Sequence, residues 1–194
     1  LKMPEIDQVC LVLHQDYLAS EWADEACSLA AHYGKSLVLA AGGARRQDST
    51  LNGLKALGVD VAIVTVHDSA RPFPPLGPVM ESIRQAREHG GAILANRVSD
   101  TVKQVEPGTD VISGTLDRER LYLAQTPQTF RYREILEALE TLERRGVDVT
   151  DEAMAFELTG REVRIVTSDS TNLKVTMPED LERAEALAAQ RRGT

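Results

Sequence analysis

A chain of 194 residues, 42% apolar and 27% charged, has enough material for one full hydrophobic core in a single domain, 1–194. Its net charge of −8 argues against a general nucleic-acid surface, so an anionic ligand must be met by Arg and Lys gathered locally against the overall field. No apolar run approaches the roughly 18 residues of a membrane span, and the first residues carry no signal-peptide pattern. The two cysteines, Cys10 and Cys27, build neither a disulfide framework nor a metal spacing, which suits a reducing cytosol.

Val9–Leu13 reads as a strand, and Ala19–Tyr33 as a helix with Trp22, Ala23, Cys27 and Ala30 at helical spacing. Trp22 and both cysteines are expected in packed surroundings. Ser36–Ala40 is a second strand, followed by Ala41-Gly42-Gly43-Ala44-Arg45-Arg46-Gln47-Asp48-Ser49. The glycines permit close backbone approach, and Asp48 or Ser49 can cap the next helix, which carries Leu51, Leu54 and Leu57. Strand, glycine turn and helix start suit an anion, but there is no complete dinucleotide or Walker fingerprint. A tight turn with solvated arginines explains this segment equally well.

Val61–Val66 is apolar and β-branched, the pattern of a strand buried on both faces of a parallel sheet. His67-Asp68-Ser69-Ala70-Arg71 stands at its carboxyl end, where open α/β sheets bind ligands, and Pro72 blocks continuation. Leu76–His89 is helical, and Ala92–Ala95 is a buried strand ending near Asp100-Thr101-Val102-Lys103. From Val102 to Thr115 the chain is polar and alternating around Pro107-Gly108, which predicts a hairpin leaving the main sheet. A lone ribbon is marginal in water, so it should pack on something, a partner subunit being one candidate.

Asp117-Arg118 leads into Leu121–Gln125 and Thr126-Pro127-Gln128-Thr129-Phe130, and then an amphipathic helix over Arg131–Arg144. Thr150 fits the N-cap of a further helix, and Val163–Val166 is a strand. Thr176 with Glu179 fits a capping box, and Pro178 a first helical turn. Alternating buried strands and helices predict a doubly wound, mostly parallel α/β sheet.

The polar groups at strand ends are Arg45, Arg46, Ser49, Asp68, Arg71, Asp100, Thr101, Lys103, Arg118, Thr126, Gln128, Thr150, Asp151 and Lys174. Cations and hydroxyls dominate, with no catalytic triad order, zinc spacing or thiol nucleophile among them. Such a set suits a phosphate-ester ligand, with nucleotidyl transfer as one option, where catalysis is mostly positioning and electrostatics. The residues alone reach no further.

His67-Asp68-Ser69-Ala70-Arg71-Pro72, Ser99-Asp100-Thr101-Val102-Lys103, Leu116-Asp117-Arg118, Gln125-Thr126-Pro127-Gln128-Thr129-Phe130, Thr150-Asp151-Glu152-Ala153 and Asn172-Leu173-Lys174-Val175-Thr176 stand in a telling order. That order resembles the 2-C-methyl-D-erythritol 4-phosphate cytidylyltransferase family of the non-mevalonate isoprenoid route, over roughly Pro4 to Ala188. The resemblance implies a Rossmann-like nucleotidyltransferase core and a cytoplasmic homodimer held by a β-arm at about 97–120. It implies CTP and methylerythritol phosphate as substrates, with Mg²⁺ held mainly by the CTP phosphates and no protein metal ligand set. By the same resemblance Gly43, Ser49 and Ser69 contact the cytidine moiety, and Asp68, Arg71, Thr126 and Thr150 line the alcohol phosphate pocket. Thr101 and Arg118 reach into the partner's pocket, and Lys174 sits between the two phosphates. Lys174 and Arg118 are the expected catalytic cations. No general base is required, so His67 is expected to be structural.

The family's earlier loop, Ala-Ala-Gly-x-Gly-x-Arg followed by Pro-Lys, has no counterpart here. Leu1–Asp7 looks like the end of the helix after it, so the chain is expected to be truncated at its N-terminus. Ala44 also stands where many members carry an acid. Two other readings stay open: a ribitol 5-phosphate cytidylyltransferase, and a non-catalytic dimeric sugar-phosphate-binding module.

Overall fold

The computed structural model describes residues 3–58, 60–169 and 171–192. The opening segment forms a turn at Pro4–Glu5 instead of the expected helix end, Leu1 and Lys2 of it lying outside the described residues. Strand β1 (Gln8–Leu13), helix α1 (Glu21–His32) and strand β2 (Ser36–Ala41) then form one unit, with β1 and β2 parallel from Gln8↔Ser36 to Leu13↔Ala41. Helix α2 (Arg46–Leu57) packs on this pair, and Gly53 lets it approach closely: a Cβ there would stand 2.7 Å from Val12 Cγ2.

Strand β3 (Ile63–Val66), helix α3 (Leu76–His89) and strand β4 (Gly91–Arg97) follow. The chain next leaves the layer as an antiparallel hairpin of β5 (Lys103–Val105) and β6 (Ile112–Thr115), the predicted excursion. It returns along β7 (Tyr122–Arg131), α4 (Tyr132–Arg145), α5 (Glu152–Leu158), β8 (Arg164–Thr167) and α6 (Pro178–Arg192). The second sheet is ordered β3-β7-β4-β8. Strands β3, β4 and β8 share one direction and β7 alone runs against them. The ladder on β3 is therefore antiparallel, although its composition predicts a parallel neighbour. A β-branched buried run meets either ladder equally well.

Pro127 lies inside central strand β7 and has no N–H to give, and the β4–β7 register shifts between Ile93 and Ala95 to accommodate the segment. Below the shift, Phe130 and Phe156 are both fully buried, with ring centroids 4.6 Å apart. Ile135, Ala138, Leu139 and Leu142, at helical spacing on α4, close over them. At Gly91 a Cβ would stand 2.8 Å from the Phe130 ring, so only glycine lets β4 pass. The Tyr132 hydroxyl donates to the Leu54 carbonyl at 2.9 Å and joins α4 to α2.

Four local expectations shift. Trp22 is 70% exposed, turned about 100° from its buried neighbour Ala23, and Cys27 is exposed as well although it shares the face of Ala23 and Ala30, the only residues α1 buries. Helix α5 is capped by Asp151 rather than Thr150, its carboxylate accepting the Met154 N–H at 2.9 Å. Helix α6 begins at Pro178, so its third residue is Asp180, not Glu179. Asp180 accepts the Thr176 and Met177 N–H groups at 3.0 Å each.

Truncating the Phe130–Phe156 pair leaves a void that rigid strands cannot refill. Phe156→Ala should cost about 3–5 kcal/mol of unfolding free energy, read by urea denaturation with an unchanged m-value.

Candidate functional site

Two cavities open at strand ends. The first, of about 250 Å³, is bounded by Arg46, Asp68, Arg71, Thr126, Thr150 and Lys174, with Gln125, Gln128 and Asp151 in its walls. The residues come from five separate stretches: the start of α2, the turn after β3, the middle of β7, the approach to α5, and the segment before α6. Asp68, Arg71, Thr126, Thr150 and Lys174 therefore converge as expected.

The β3 turn is held from β7. The Thr126 hydroxyl, 5% exposed, accepts the Asp68 N–H at 2.9 Å and lies 3.2 Å from His67 Nδ1. His67 Nε2 lies 2.9 Å from the Arg71 carbonyl, which only accepts, so the ring carries its proton on Nε2 and receives the Thr126 hydroxyl at Nδ1. Crowding by protein, aided by the Arg71 charge, holds the imidazole below the usual histidine range despite the Arg71 carbonyl and Asp68. His67 as a residue nonetheless counts among the exposed ones. His67 is thus a neutral strut, in line with the structural role expected of it.

Asn172 does the same from the other side. Fully buried, it donates from Nδ2 to Gln125 Oε1 and the Thr126 carbonyl at 2.9 Å each, while its backbone carbonyl accepts Arg71 Nη1 at 2.7 Å. Arg71 Nε has no hydrogen-bond partner among the described residues. Burial lowers the Arg71 pKa more than Asp68 raises it, yet an arginine stays charged at any physiological pH.

Asp68 is the electrostatic centre. Its Oδ2 accepts Lys174 Nζ at 2.9 Å, and its Oδ1 lies 3.6 Å from Arg46 Nη2. Burial pushes its carboxyl up, but the Lys174 hydrogen bond and the charges of Lys174, Arg46 and Arg71 outweigh that and leave it below the ordinary aspartate value. Arg46 in turn forks onto Glu152, Nη1 to Oε1 at 2.7 Å and Nη2 to Oε2 at 2.8 Å, and Thr50 donates to Oε1 at 2.9 Å. Burial alone would lower the Arg46 pKa, but Glu152 raises it further. Glu152 itself is 1% exposed. Sequence reading counts Arg46 among the strand-end cations and gives neither it nor Glu152 a role. The one available signal was a carboxylate directly after a cap position, where a helix start favours negative charge.

The second cavity, of about 380 Å³, lies between the ends of β1 and β2 and is lined by Leu13, His14, Gly42, Gly43 and Ser49. Ser49 Oγ accepts the Gly43 N–H at 3.0 Å, and Asp48 accepts the Arg45 N–H at 3.1 Å. A Cβ on Gly43 would stand 2.4 Å from Asp48 Cβ, so glycine is required there. Ser69 occupies an exposed turn and lines neither cavity. Thr101 and Arg118 are also exposed and line neither, Arg118 Nη1 donating to the Ser99 carbonyl at 2.8 Å at the base of the hairpin.

The family profile described as 2-C-methyl-D-erythritol 4-phosphate cytidylyltransferase matches residues 1–190. A relative of that name from Carboxydothermus hydrogenoformans is 40% identical over 189 residues, 96% of this chain and 78% of its own length. One from Pelotomaculum thermopropionicum is 44% identical over 160 residues, 82% of this chain. The chain spans 66% of that second relative, just under two thirds. Among solved structures, the 4-diphosphocytidyl-2C-methyl-D-erythritol synthase of Anaerococcus prevotii superposes with a TM-score of 0.84 at 29% identity, covering 96% of this chain and 80% of its own. The 2-C-methyl-D-erythritol 4-phosphate cytidylyltransferase of Thermus thermophilus gives 0.77 at 31% identity, covering 94% and 82%. The Rossmann-like α/β sheet with ligand-sized cavities at its strand ends is that of a nucleotidyltransferase. Within that class, the chain belongs to the 2-C-methyl-D-erythritol 4-phosphate cytidylyltransferase family.

A carboxyl whose folded pKa lies below its unfolded value adds stability above the unfolded value and loses it as pH falls through the folded one. Asp68→Asn should therefore flatten the decline of Tm below about pH 4, where aspartate otherwise titrates. Thermal melts across the acid range check this, and parallel acid limbs in the two proteins would remove Asp68 from the linkage.

Proposed function

We propose that this chain carries the family's reaction, joining CTP and 2-C-methyl-D-erythritol 4-phosphate into 4-diphosphocytidyl-2-C-methyl-D-erythritol and diphosphate for isoprenoid precursor synthesis. The observation that carries this is the meeting of Asp68, Arg71, Thr126, Thr150 and Lys174 around one cavity.

An acceptor phosphate oxygen attacks the α-phosphorus in line. The new O–P bond forms as the bond to the β-phosphate oxygen breaks, and diphosphate leaves. Two anions must be brought together, so cations that offset their repulsion and fix the line of attack do most of the work. Lys174 is the group for that task, with Arg71 holding the acceptor phosphate. A phosphate monoester is already anionic, so neutral His67 has no proton to take. Gly43 and Ser49 supply the nucleotide side from the second cavity, and Ser69 the turn between. Mg²⁺ when bound neutralises the triphosphate. Asp68 and Asp151 are already engaged by Lys174 and by Gln128 and the Met154 N–H, which fits a cation held chiefly by CTP oxygens.

The hairpin carries exposed Val105, Val111, Ile112 and Leu116, an apolar surface that supports a homodimer through this arm. In that dimer Thr101 and Arg118 reach the partner's pocket. No described helix is long and apolar enough to cross a membrane, and two free cysteines accord with a cytoplasmic enzyme.

Diphosphate release from CTP should be rapid with methylerythritol phosphate and slow with ribitol 5-phosphate; the reverse preference would reassign the acceptor, and no release with either would favour a binding module. Lys174→Ala should lower kcat by about 10²–10³-fold, the scale of losing one transition-state charge contact, with little change in melting temperature. Mixing Lys174→Ala with Arg118→Ala protomers should recover activity if sites are shared across the dimer.

A further inference from the structure

Three cations, Arg46, Arg71 and Lys174, face the first cavity, but they are not equivalent. Lys174 is 44% exposed and Arg71 gives only its Nη1 to the described residues, at the Asn172 carbonyl, so both retain terminal donors for a ligand. Arg46 has the terminal edge of its guanidinium locked onto a carboxylate that is 1% exposed and triply hydrogen-bonded. What Arg46 offers the cavity is its outer N–H groups beside Asp68 Oδ1, 3.6 Å away, a hydrogen-bond donor next to an acceptor. Such a pair matches a hydroxyl group, which both accepts and donates. A phosphate suits it less: Arg46 has only outer N–H groups left beside that carboxylate, whereas Lys174 keeps two further N–H donors after bonding Asp68 Oδ2.

We propose that Glu152 sets the ligand preference of this cavity: it cancels the charge of Arg46 and holds it flat, so that the Arg46–Asp68 edge takes acceptor hydroxyls while anions go to Arg71 and Lys174. This rests on the reading of the cavity as a sugar-alcohol phosphate site. Glu152 touches no ligand in this arrangement and is a positioning residue acting through Arg46. The cost of burying a carboxylate makes a purely stabilising role a poor explanation, since buried ion pairs are often no better than well-packed apolar groups. Geometry supports the same conclusion: an arginine at the first position of α2 works against the helix field, and the buried partner on α5 is what holds it there.

The test is calorimetric binding of 2-C-methyl-D-erythritol 4-phosphate and, separately, inorganic phosphate to the full chain and its variants. Glu152→Gln leaves Arg46 only the longer, 3.6 Å pairing with Asp68 against its charge. It should bind inorganic phosphate at least about fivefold tighter and methylerythritol phosphate at least about fivefold weaker, as a single close charge of partial exposure allows. The paired variant Arg46→Gln with Glu152→Gln replaces the ion pair by two neutral amides. It should show the weakened methylerythritol phosphate binding without any gain for phosphate, and it serves if Glu152→Gln alone does not fold. Equal loss for both probes, or no change in either, would overturn the role given to Glu152. If wild type fails to bind methylerythritol phosphate while Glu152→Gln still gains phosphate affinity, the acceptor reading falls and the charge cancellation stands.

Discussion

Gln128 is buried in the middle of a central strand, and its amide must find partners there or cost the fold about 1–3 kcal/mol for each unmet group. It finds them outside the sheet. Nε2 donates to Asp151 at 2.9 Å, and Oε1 accepts the Ala153 N–H at 3.0 Å, so the start of α5 is drawn against β7. Thr126 and Asn172 repeat the device on either side, taking up the turn after β3 and the segment before α6. A polar stretch inside an otherwise apolar sheet would be a defect if these side chains had no partners. With Gln128, Thr126 and the Asn172 Nδ2 all engaged, it fixes the loops that carry Asp68, Arg71, Thr150 and Lys174.

Hydrogen bonds to β7 therefore decide where the charges stand, and ion pairs only adjust them. The magnitudes agree with that order. Exposed pairs such as Arg84 with Glu81 and Glu88 contribute about 0–1 kcal/mol and position nothing in the cavity. Breaking a buried pair costs about 3–5 kcal/mol, which is the class of the Arg46–Glu152 contact on its buried side. Asp68 lies between the regimes: surrounded by Lys174, Arg46 and Arg71, it stays ionised.

The order of strands and helices was legible because each buried element carries its own apolar period, and Leu76–His89 is matched to the residue. The convergence of five polar segments was legible for another reason: strand ends in an α/β sheet are already neighbours. Exposure was not. Trp22 sits one step from buried Ala23, and Cys27 lies between Ala23 and Ala30 on their own stripe yet is exposed, so α1 buries too narrow a stripe for exposure to be assigned from spacing. Nor was the partnership of Arg46 with Glu152, 106 positions apart on two helices that only the folded chain brings together. A local pattern contains no term for such a pair.

Helix α2 supplies the remaining constraint. Arg46 at its start faces the cation-lined cavity, and Ser49, one turn on, faces the cavity beside Gly43. One rigid turn thus belongs to both sites. The turn is pinned by Gln47, which donates to the Val147 carbonyl and accepts the Val149 N–H, and by Asp48, which closes back on the Arg45 N–H, while Tyr132 fastens the helix further on at Leu54. In the proposed in-line displacement the distance and angle between the two reactants would set the rate, and a displacement of about 1 Å can cost about 10²-fold. A shared, buttressed helix start limits that displacement more firmly than two independent loops would, because neither cavity can shift without carrying the other along.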